Sequence, residues 1–242
     1  MKKSPRSPVL LDLLASLYPE KSREALFARV LCGDVVVDGS VLRDPKIAVP
    51  ADAEVVISAK RFVSRGGFKL EPVLEAWHLA VEGKVFLDAG CSTGGFTDAL
   101  LQRGAALVHA VDVGTGQLDW KLRADPRVIV REGTNVMSLT ALQPRPAAAV
   151  ADLSFRSLRG AAGKILSLTE EGWLVALIKP QFEWVDPPPD FQGVVPDASW
   201  PPILSRLEAN LLEEGVVLTD LLPSTVRGRK GNQEYLAKLV RR

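Results

Sequence analysis

The chain has 242 residues, 47% of them hydrophobic and 24% charged, with a formal net charge of +1. That length accommodates one medium domain plus a small one, each with a core, and the composition is that of a folded, soluble protein rather than a disordered one. Cys32 and Cys91 are the only cysteines and there are two histidines, too few for a disulfide framework or a thiolate metal site, so no metal and a reducing, cytoplasmic setting are expected.

The opening Met1-Lys2-Lys3-Ser4-Pro5-Arg6 leads into an apolar stretch cut by Asp12 and by Tyr18-Pro19-Glu20. No signal-peptide core is expected there, and nothing approaches the run of about 20 apolar residues that spans a membrane. Residues 1 to 70 hold twelve Lys/Arg against eight Asp/Glu, and the remainder holds eighteen against twenty-one. That excess points either to a polyanionic partner or to an ordinary solvated surface. Leu10, Leu11, Leu13, Leu14 and Leu17 recur at helical spacing, and Ser22 opens a second helix with Ala25, Leu26, Val30 and Leu31 on one side, stopped by Gly33. Val35 to Leu42 reads as two strands around an Asp38-Gly39 turn. Pro45, Pro50 and Ala51-Asp52 punctuate a loop before a last strand, Glu54 to Ile57, that ends near Ser58. A small α+β unit over residues 1–59 is predicted, with residues 60–63 as a hinge into a second domain, 60–242.

Beyond Leu70 apolar strands alternate with amphipathic helices: Val85 to Leu87, Val108 to Val111, Val128 to Val130, Ala147 to Ala151, Val175 to Ile178 and Val216 to Leu218. The pattern is that of an α/β domain whose mainly parallel sheet is covered on both faces, with ligands outside the carboxyl ends of the strands. Trp184 to Pro202 contains six prolines and two exposed-looking tryptophans, Trp184 and Trp200. It is expected to form a long loop near the site. A second basic cluster runs from Arg227 to Arg242, with six cations and one acid, Glu234.

The strand at Val85 runs into Asp88-Ala89-Gly90-Cys91-Ser92-Thr93-Gly94-Gly95-Phe96-Thr97, followed by a helix from Asp98 to Leu101. Glycines allow a sharp turn and close approach of backbone to ligand, and a helix start offers free N–H groups. The spacing is not the G-x-G-x-x-G of dinucleotide enzymes. It resembles the D-x-G-x-x-x-G entry loop of Rossmann-like methyltransferases, where the acid, here Asp88, meets the ligand's ammonium end. Twenty-four residues later, Asp112 ends the next strand, beside Val113, where a carboxylate accepts hydrogen bonds from both ribose hydroxyls of an adenosine or, alternatively, caps the strand. Together these point to S-adenosylmethionine held by Asp88, Gly90, Ser92, Thr93, Gly94, Gly95, Phe96, Asp112 and Val113, rather than to a nicotinamide or a flavin.

Four further polar residues stand where folding alone does not favour them: Lys69 after Ser64-Arg65-Gly66-Gly67-Phe68, Asp152 and Lys179 at carboxyl ends of parallel strands, and Glu234 in Gly231-Asn232-Gln233-Glu234-Tyr235. Solvated strand-end charges are the plain alternative for any one of them. Jointly they suit the activation of a ribose 2'-hydroxyl, a poor nucleophile that needs a base and a field that stabilises the developing alkoxide. A lysine serves as base when a second cation and partial desolvation lower its pKa, while carboxylates orient it. Lys179 is expected as base or activating cation, Lys69 as second cation, and Asp152 and Glu234 as orienting carboxylates, with no metal required.

These motifs, with Val63 to Leu70, Val111-Asp112-Val113-Gly114, Gln117-Leu118, Ala151 to Phe155, Ile178 to Glu183 and Gly231 to Tyr235, make the chain resemble the TlyA family, historically called hemolysins, within the FtsJ-like ribose methyltransferases. The resemblance covers residues 60 to 242 in order and places the family's Lys-Asp-Lys-Glu tetrad on Lys69, Asp152, Lys179 and Glu234. It implies a Rossmann-like class I methyltransferase fold and 2'-O-methylation of cytidine in ribosomal RNA. Ser22 to Ala25 and Gly33 to Gly39 resemble the αL RNA-binding module of ribosomal small-subunit protein four, more loosely, since the opening reads Leu10-Leu11-Asp12 and the turn Asp38-Gly39. RNA contact is expected at Arg23, Arg29, Arg43 and Arg65. Three rival readings are a catalytically silent RNA-binding protein of the same fold, a small-molecule methyltransferase, which would not need an appended basic module, and a membrane-active hemolysin.

Overall fold

A computed structural model describes residues 7–57, 61–154 and 156–242, and for Cys32 the backbone alone. The basic opening Met1 to Arg6, the strand end at Ser58, the hinge position Lys60 and Phe155 lie outside the described residues. The chain divides into two units, Met1–Arg61 and Phe62–Arg242.

In the first unit, α1 (Leu10–Leu17) and α2 (Arg23–Cys32) precede β1 (Val35–Val37), β2 (Ser40–Leu42) and β3 (Val55–Ile57), which form an antiparallel sheet in the order β2-β1-β3. The Ser22 hydroxyl accepts the Ala25 N–H at 3.2 Å, and Gly33 ends α2 in the left-handed region at φ 74°. Asp38 and Gly39 both have positive φ, 48° and 78°, the geometry that a two-residue hairpin turn requires. Leu10, Leu14, Leu26, Val30, Val35, Val37 and Val49 form a separate core.

The second unit is built on seven strands: β4 (Val85–Ala89), β5 (Leu107–Val111), β6 (Val128–Arg131), β7 (Ala148–Ala151), β8 (Trp173–Ile178), β9 (Val216–Pro223) and β10 (Tyr235–Arg241), in the order β6-β5-β4-β7-β8-β10-β9. The first five in that order run parallel, and β10 lies antiparallel to both β8 and β9. Along β8, Trp173, Val175 and Leu177 enter one core, while Leu174, Ala176 and Ile178 enter the other. A strand buried on both faces has no polar alternate residues to show, which is why its sequence is continuously apolar. Helices α3 (Arg65–Ala76) and α4 (Gly95–Gln102) supply the first core, and α6 (Ala161–Ser167) and α8 (Trp200–Glu213) the second. Short helices α5 (Trp120–Arg123) and α7 (Pro180–Glu183) follow β5 and β8. This is the Rossmann-like α/β fold with a mainly parallel sheet.

Two elements were not expected from the sequence, and two expectations about the proline-rich segment need correction. The C-terminal segment contains a strand, β10, inserted between β8 and β9. The stretch before Leu70 is helical from Arg65, with Ser64 as its N-cap. The proline-rich loop ends at Ser199 rather than Pro202, because Pro201 and Pro202 sit in the first turn of α8, where the missing N–H groups have no helical partner to lose. Nor are its tryptophans exposed: Trp200 is 8% exposed and stacks on Tyr235 at 4.3 Å and 11°, and Trp184 meets Phe191 edge to face. We expect Trp200→Ala to lower unfolding free energy by about 3–5 kcal/mol, the range for a buried large aromatic. An unchanged denaturation midpoint would show that the stack contributes nothing.

Candidate active site

The parallel register brings the carboxyl ends of β4, β5, β7 and β8 to one edge, and the antiparallel β10 begins there. Ala89 pairs with Val111 and Ala151, and Ala151 pairs with Ala176. Tyr235 pairs with Ile178, so Glu234 and Lys179 stand one step beyond that pair on adjacent strands.

At the centre lies the turn from Gly90 to Gly94. Gly90 has φ 83°, and a Cβ there would sit 2.6 Å from the carbonyl oxygen of Asp152. Only glycine allows the turn this close to the β7 exit. Ser92 also has positive φ, 46°, and Gly94 caps α4 at φ 94°. A Cβ on Gly95 would lie 2.9 Å from Gly66 Cα, so the first turns of α3 and α4 touch backbone to backbone.

Three carboxylates frame this turn. Asp88 is fully buried, its Oδ2 accepts the Thr97 hydroxyl at 2.6 Å, and its Oδ1 has no hydrogen-bond partner among the described residues. Burial, with the charges of Asp152 and Asp112 adding, pushes its carboxyl up to about 7. Asp112 takes the Ser92 N–H at 2.8 Å and the Gly114 N–H at 2.7 Å, one on each oxygen. Glu132, just after β6, receives N–H groups from Gly116, Gln117 and Leu118 and the Arg123 guanidinium at 2.8 Å. The guanidinium, then the N–H groups, hold its carboxyl down to about 2. Glu132 thereby fixes the loop that follows Asp112, a role the sequence reading missed although the residue stands at a strand's carboxyl end like the other two.

The four tetrad positions meet as two ion pairs. Lys69 and Glu234, 7% and 4% exposed, bond at 2.5 Å. Lys179 Nζ lies 2.6 Å from Asp152 Oδ1, out of line for a hydrogen bond, and donates to Leu153 O at 2.9 Å and Ser154 Oγ at 3.2 Å. The first pair adjoins the glycine turn through α3, the second through the Gly90–Asp152 contact. Of the other expected ligand contacts, Ser92 and Thr93 are exposed on the turn and Val113 is 70% exposed. Phe96 is 2% exposed in the first core, so its ring packs and does not line the turn.

The arginines expected to touch RNA are engaged within the chain. Arg23 bonds Asp12 at 2.6 Å and Arg29 bonds Asp34 at 3.2 Å. The Arg43 guanidinium lies over Gly33, and Arg65 donates to Arg227 O at 3.4 Å. The Arg23–Asp12 pair is exposed and opens at a cost of about 0–1 kcal/mol.

The Asp88 carboxyl links stability to pH. Folded Asp88 keeps a proton that the unfolded chain gives up near 3.8, so stability is full below that pH and falls as pH rises toward about 7. Asp88→Asn still accepts from Thr97 and cannot ionise. Without ligand, its melting temperature should change less with pH between 4 and 7 than that of the parent, and should exceed the parent's at pH 8; identical profiles would remove Asp88 as the source of the slope.

A model of the FtsJ-like methyltransferase family matches residues 62–240. The chain is 45% identical over 169 residues to the 16S/23S rRNA (cytidine-2'-O)-methyltransferase TlyA of Mycobacterium tuberculosis, an alignment spanning 67% of this chain and 63% of that protein. It is 37% identical over 218 residues to hemolysin A of Brachyspira hyodysenteriae, covering 87% and 90% of the two. A solved chain from Streptococcus thermophilus, provisionally named a hemolysin, superposes with a TM-score of 0.71 at 34% identity, covering 98% of this chain and 90% of that one. Among the described residues, no helix is long and apolar enough to cross a membrane. The chain therefore belongs to the FtsJ-like methyltransferase family, in the branch that holds the TlyA and hemolysin A proteins.

Proposed function

We propose that this protein transfers a methyl group from S-adenosylmethionine to the 2'-hydroxyl of a cytidine in ribosomal RNA, in the cytoplasm. The observation that carries the reading is the pair of lysine–carboxylate contacts, Lys69–Glu234 and Lys179–Asp152, beside one glycine turn. The name of the mycobacterial relative supports the same reaction.

The residues at the turn fit the donor. Asp88 Oδ1 is a buried acceptor without a partner among the described residues, suited to an ammonium group. Each Asp112 oxygen has one N–H bond and one lone pair left for a ribose hydroxyl. Gly90, with no side chain, lets the turn lie against the Asp152 carbonyl and leaves its own backbone open to close approach by a ligand. Bound there, S-adenosylmethionine supplies an electrophilic methyl group on a sulfonium, and the protein has only to make a sugar oxygen nucleophilic in line with it.

Lys179 carries out that activation in this reading. Its ammonium group spends two hydrogens on Leu153 O and Ser154 Oγ, the second being the longer bond. A ribose hydroxyl that replaces Ser154 meets Nζ, and the free-amine form of Lys179 takes its proton as the oxygen bonds the methyl carbon and the sulfur–methyl bond breaks. Asp152 keeps the lysine head at the edge of the sheet, and Lys69, held by Glu234, adds the second positive charge that stabilises the alkoxide. The amino-terminal unit binds the RNA, with Arg23, Arg29 and Arg43 on that unit and Arg65 beside the tetrad meeting phosphates.

Three measurements test this. Lys179→Ala should cut single-turnover methyl transfer to ribosomal RNA by at least about 10²-fold and leave S-adenosylmethionine affinity close to the parent's. Retained turnover removes Lys179 from the reaction, and a missing cytidine 2'-O-methyl mark in cells lacking the gene would identify the nucleotide. Charge reversal at Arg23 together with Arg43 should weaken RNA binding and reduce the slope of log affinity against log salt by about 1 to 2; an unaltered slope would mean that these arginines meet no phosphate.

A further inference from the structure

Glu183 takes no part in the chemistry above, yet it is 5% exposed and both its oxygens are occupied. The Ser157 hydroxyl donates to Oε2 at 2.5 Å and the Leu158 N–H to Oε1 at 2.9 Å. Ser157 Oγ in turn accepts the Arg159 backbone N–H and Nε, each at 3.1 Å. With both of its lone pairs in use, Ser157 has only its hydrogen to offer Glu183, so the carboxylate acts as acceptor at both ends. Burial pushes the Glu183 carboxyl up, with Arg159 opposing, so keeping it ionised costs free energy that an apolar residue of similar size would not.

The position of these bonds accounts for that cost. Ser157 and Leu158 lie on the loop that leaves β7 through Asp152, and Glu183 closes α7, the helix capped by Lys179. At its start the same loop receives Lys179 Nζ on Leu153 O and Ser154 Oγ. Helix α7 thus holds one loop twice, by Lys179 at residues 153–154 and by Glu183, one turn later, at residues 157–158.

We propose that Glu183 is a positioning residue that sets the separation of Lys179 and Asp152 by locking the β7 exit loop to α7. The inference rests on the reading of Lys179 as the activating group with Asp152 orienting it, and its test includes a measurement that needs no activity. In the full-length chain, Glu183→Ala should lower kcat for RNA methylation by about 10²-fold, the effect of a misplacement of about 1 Å. RNA KM and S-adenosylmethionine Kd should stay within about twofold. Glu183→Gln places an NH2 against one of two donors and should lose about tenfold. Ser157→Ala should add less than about twofold to Glu183→Ala, because both break one contact. By hydrogen exchange, Glu183→Ala should speed exchange in peptides spanning residues 153–160 and 179–184, with β4, β5 and β8 unchanged. Should the alanine variant fail to fold, the glutamine variant carries every arm.

A folded variant with parental kcat, or one whose kcat, cofactor affinity and protection fall together across the whole sheet, overturns the proposal. A parent protein that methylates no ribosomal RNA overturns the functional reading instead, and the exchange pattern still decides whether the clamp exists.

Discussion

The bond between Lys69 and Glu234 joins residues 165 positions apart, with both side chains withdrawn from water. Removing an ammonium and a carboxylate from solvent costs several kcal/mol per ion, and their attraction offsets this only in good geometry; deleting one partner typically costs about 3–5 kcal/mol. The pair therefore ties the first turns of α3 to the start of β10. Much of the surrounding sequence serves that attachment: glycines at 66 and 95 bring α3 against α4 with no side chain between them, and the Asp98 carboxylate accepts the Val63 N–H at 2.7 Å, holding the chain just ahead of α3.

Carboxylates of similar intrinsic acidity occupy the same sheet edge in different electrostatic states. Asp88 is buried with one oxygen unmatched, Asp112 is shared between two loop N–H groups, and Glu132 is saturated by three N–H groups and a guanidinium. Environment separates them: desolvation raises the first, and donors with an opposite charge lower the last. In the proposed function such an edge would meet a cationic ligand end at Asp88 and a pair of hydroxyls at Asp112, while Glu132 holds the intervening loop.

The strands of the parallel sheet were readable because burial on both faces leaves short apolar runs, and the leucine spacing of α1 and the Ser22 and Gly33 caps of α2 were readable because they are local. What could not be read depended on tertiary contact. Helix α3 has two glycines in its first turn and contains Pro72, poor helix formers that packing against α4 overrides. In α8 the prolines that signalled a loop are compatible with a first helical turn, and Trp200 looked exposed because its partner Tyr235 lies far along the chain. Asp88, Asp112, Asp152 and Lys179 were found from their places at strand ends. Glu183 and Asn232 were not, since their partners are 25 to 39 residues distant and no local pattern marks a buried polar side chain as satisfied.

The strand order β6-β5-β4-β7-β8-β10-β9 also bears on how the molecule comes into being on the ribosome. All the parallel strands, the glycine turn and both lysines emerge before residue 234, so a nascent chain can assemble most of the sheet while Lys69 still lacks its counter-ion. Domains acquire structure from the amino terminus as they are synthesised, and here β9 pairs with β10 alone, so it gains its place in the sheet only once β10 has been made. Completion of the site is thus delayed until translation has passed the segment that carries Glu234.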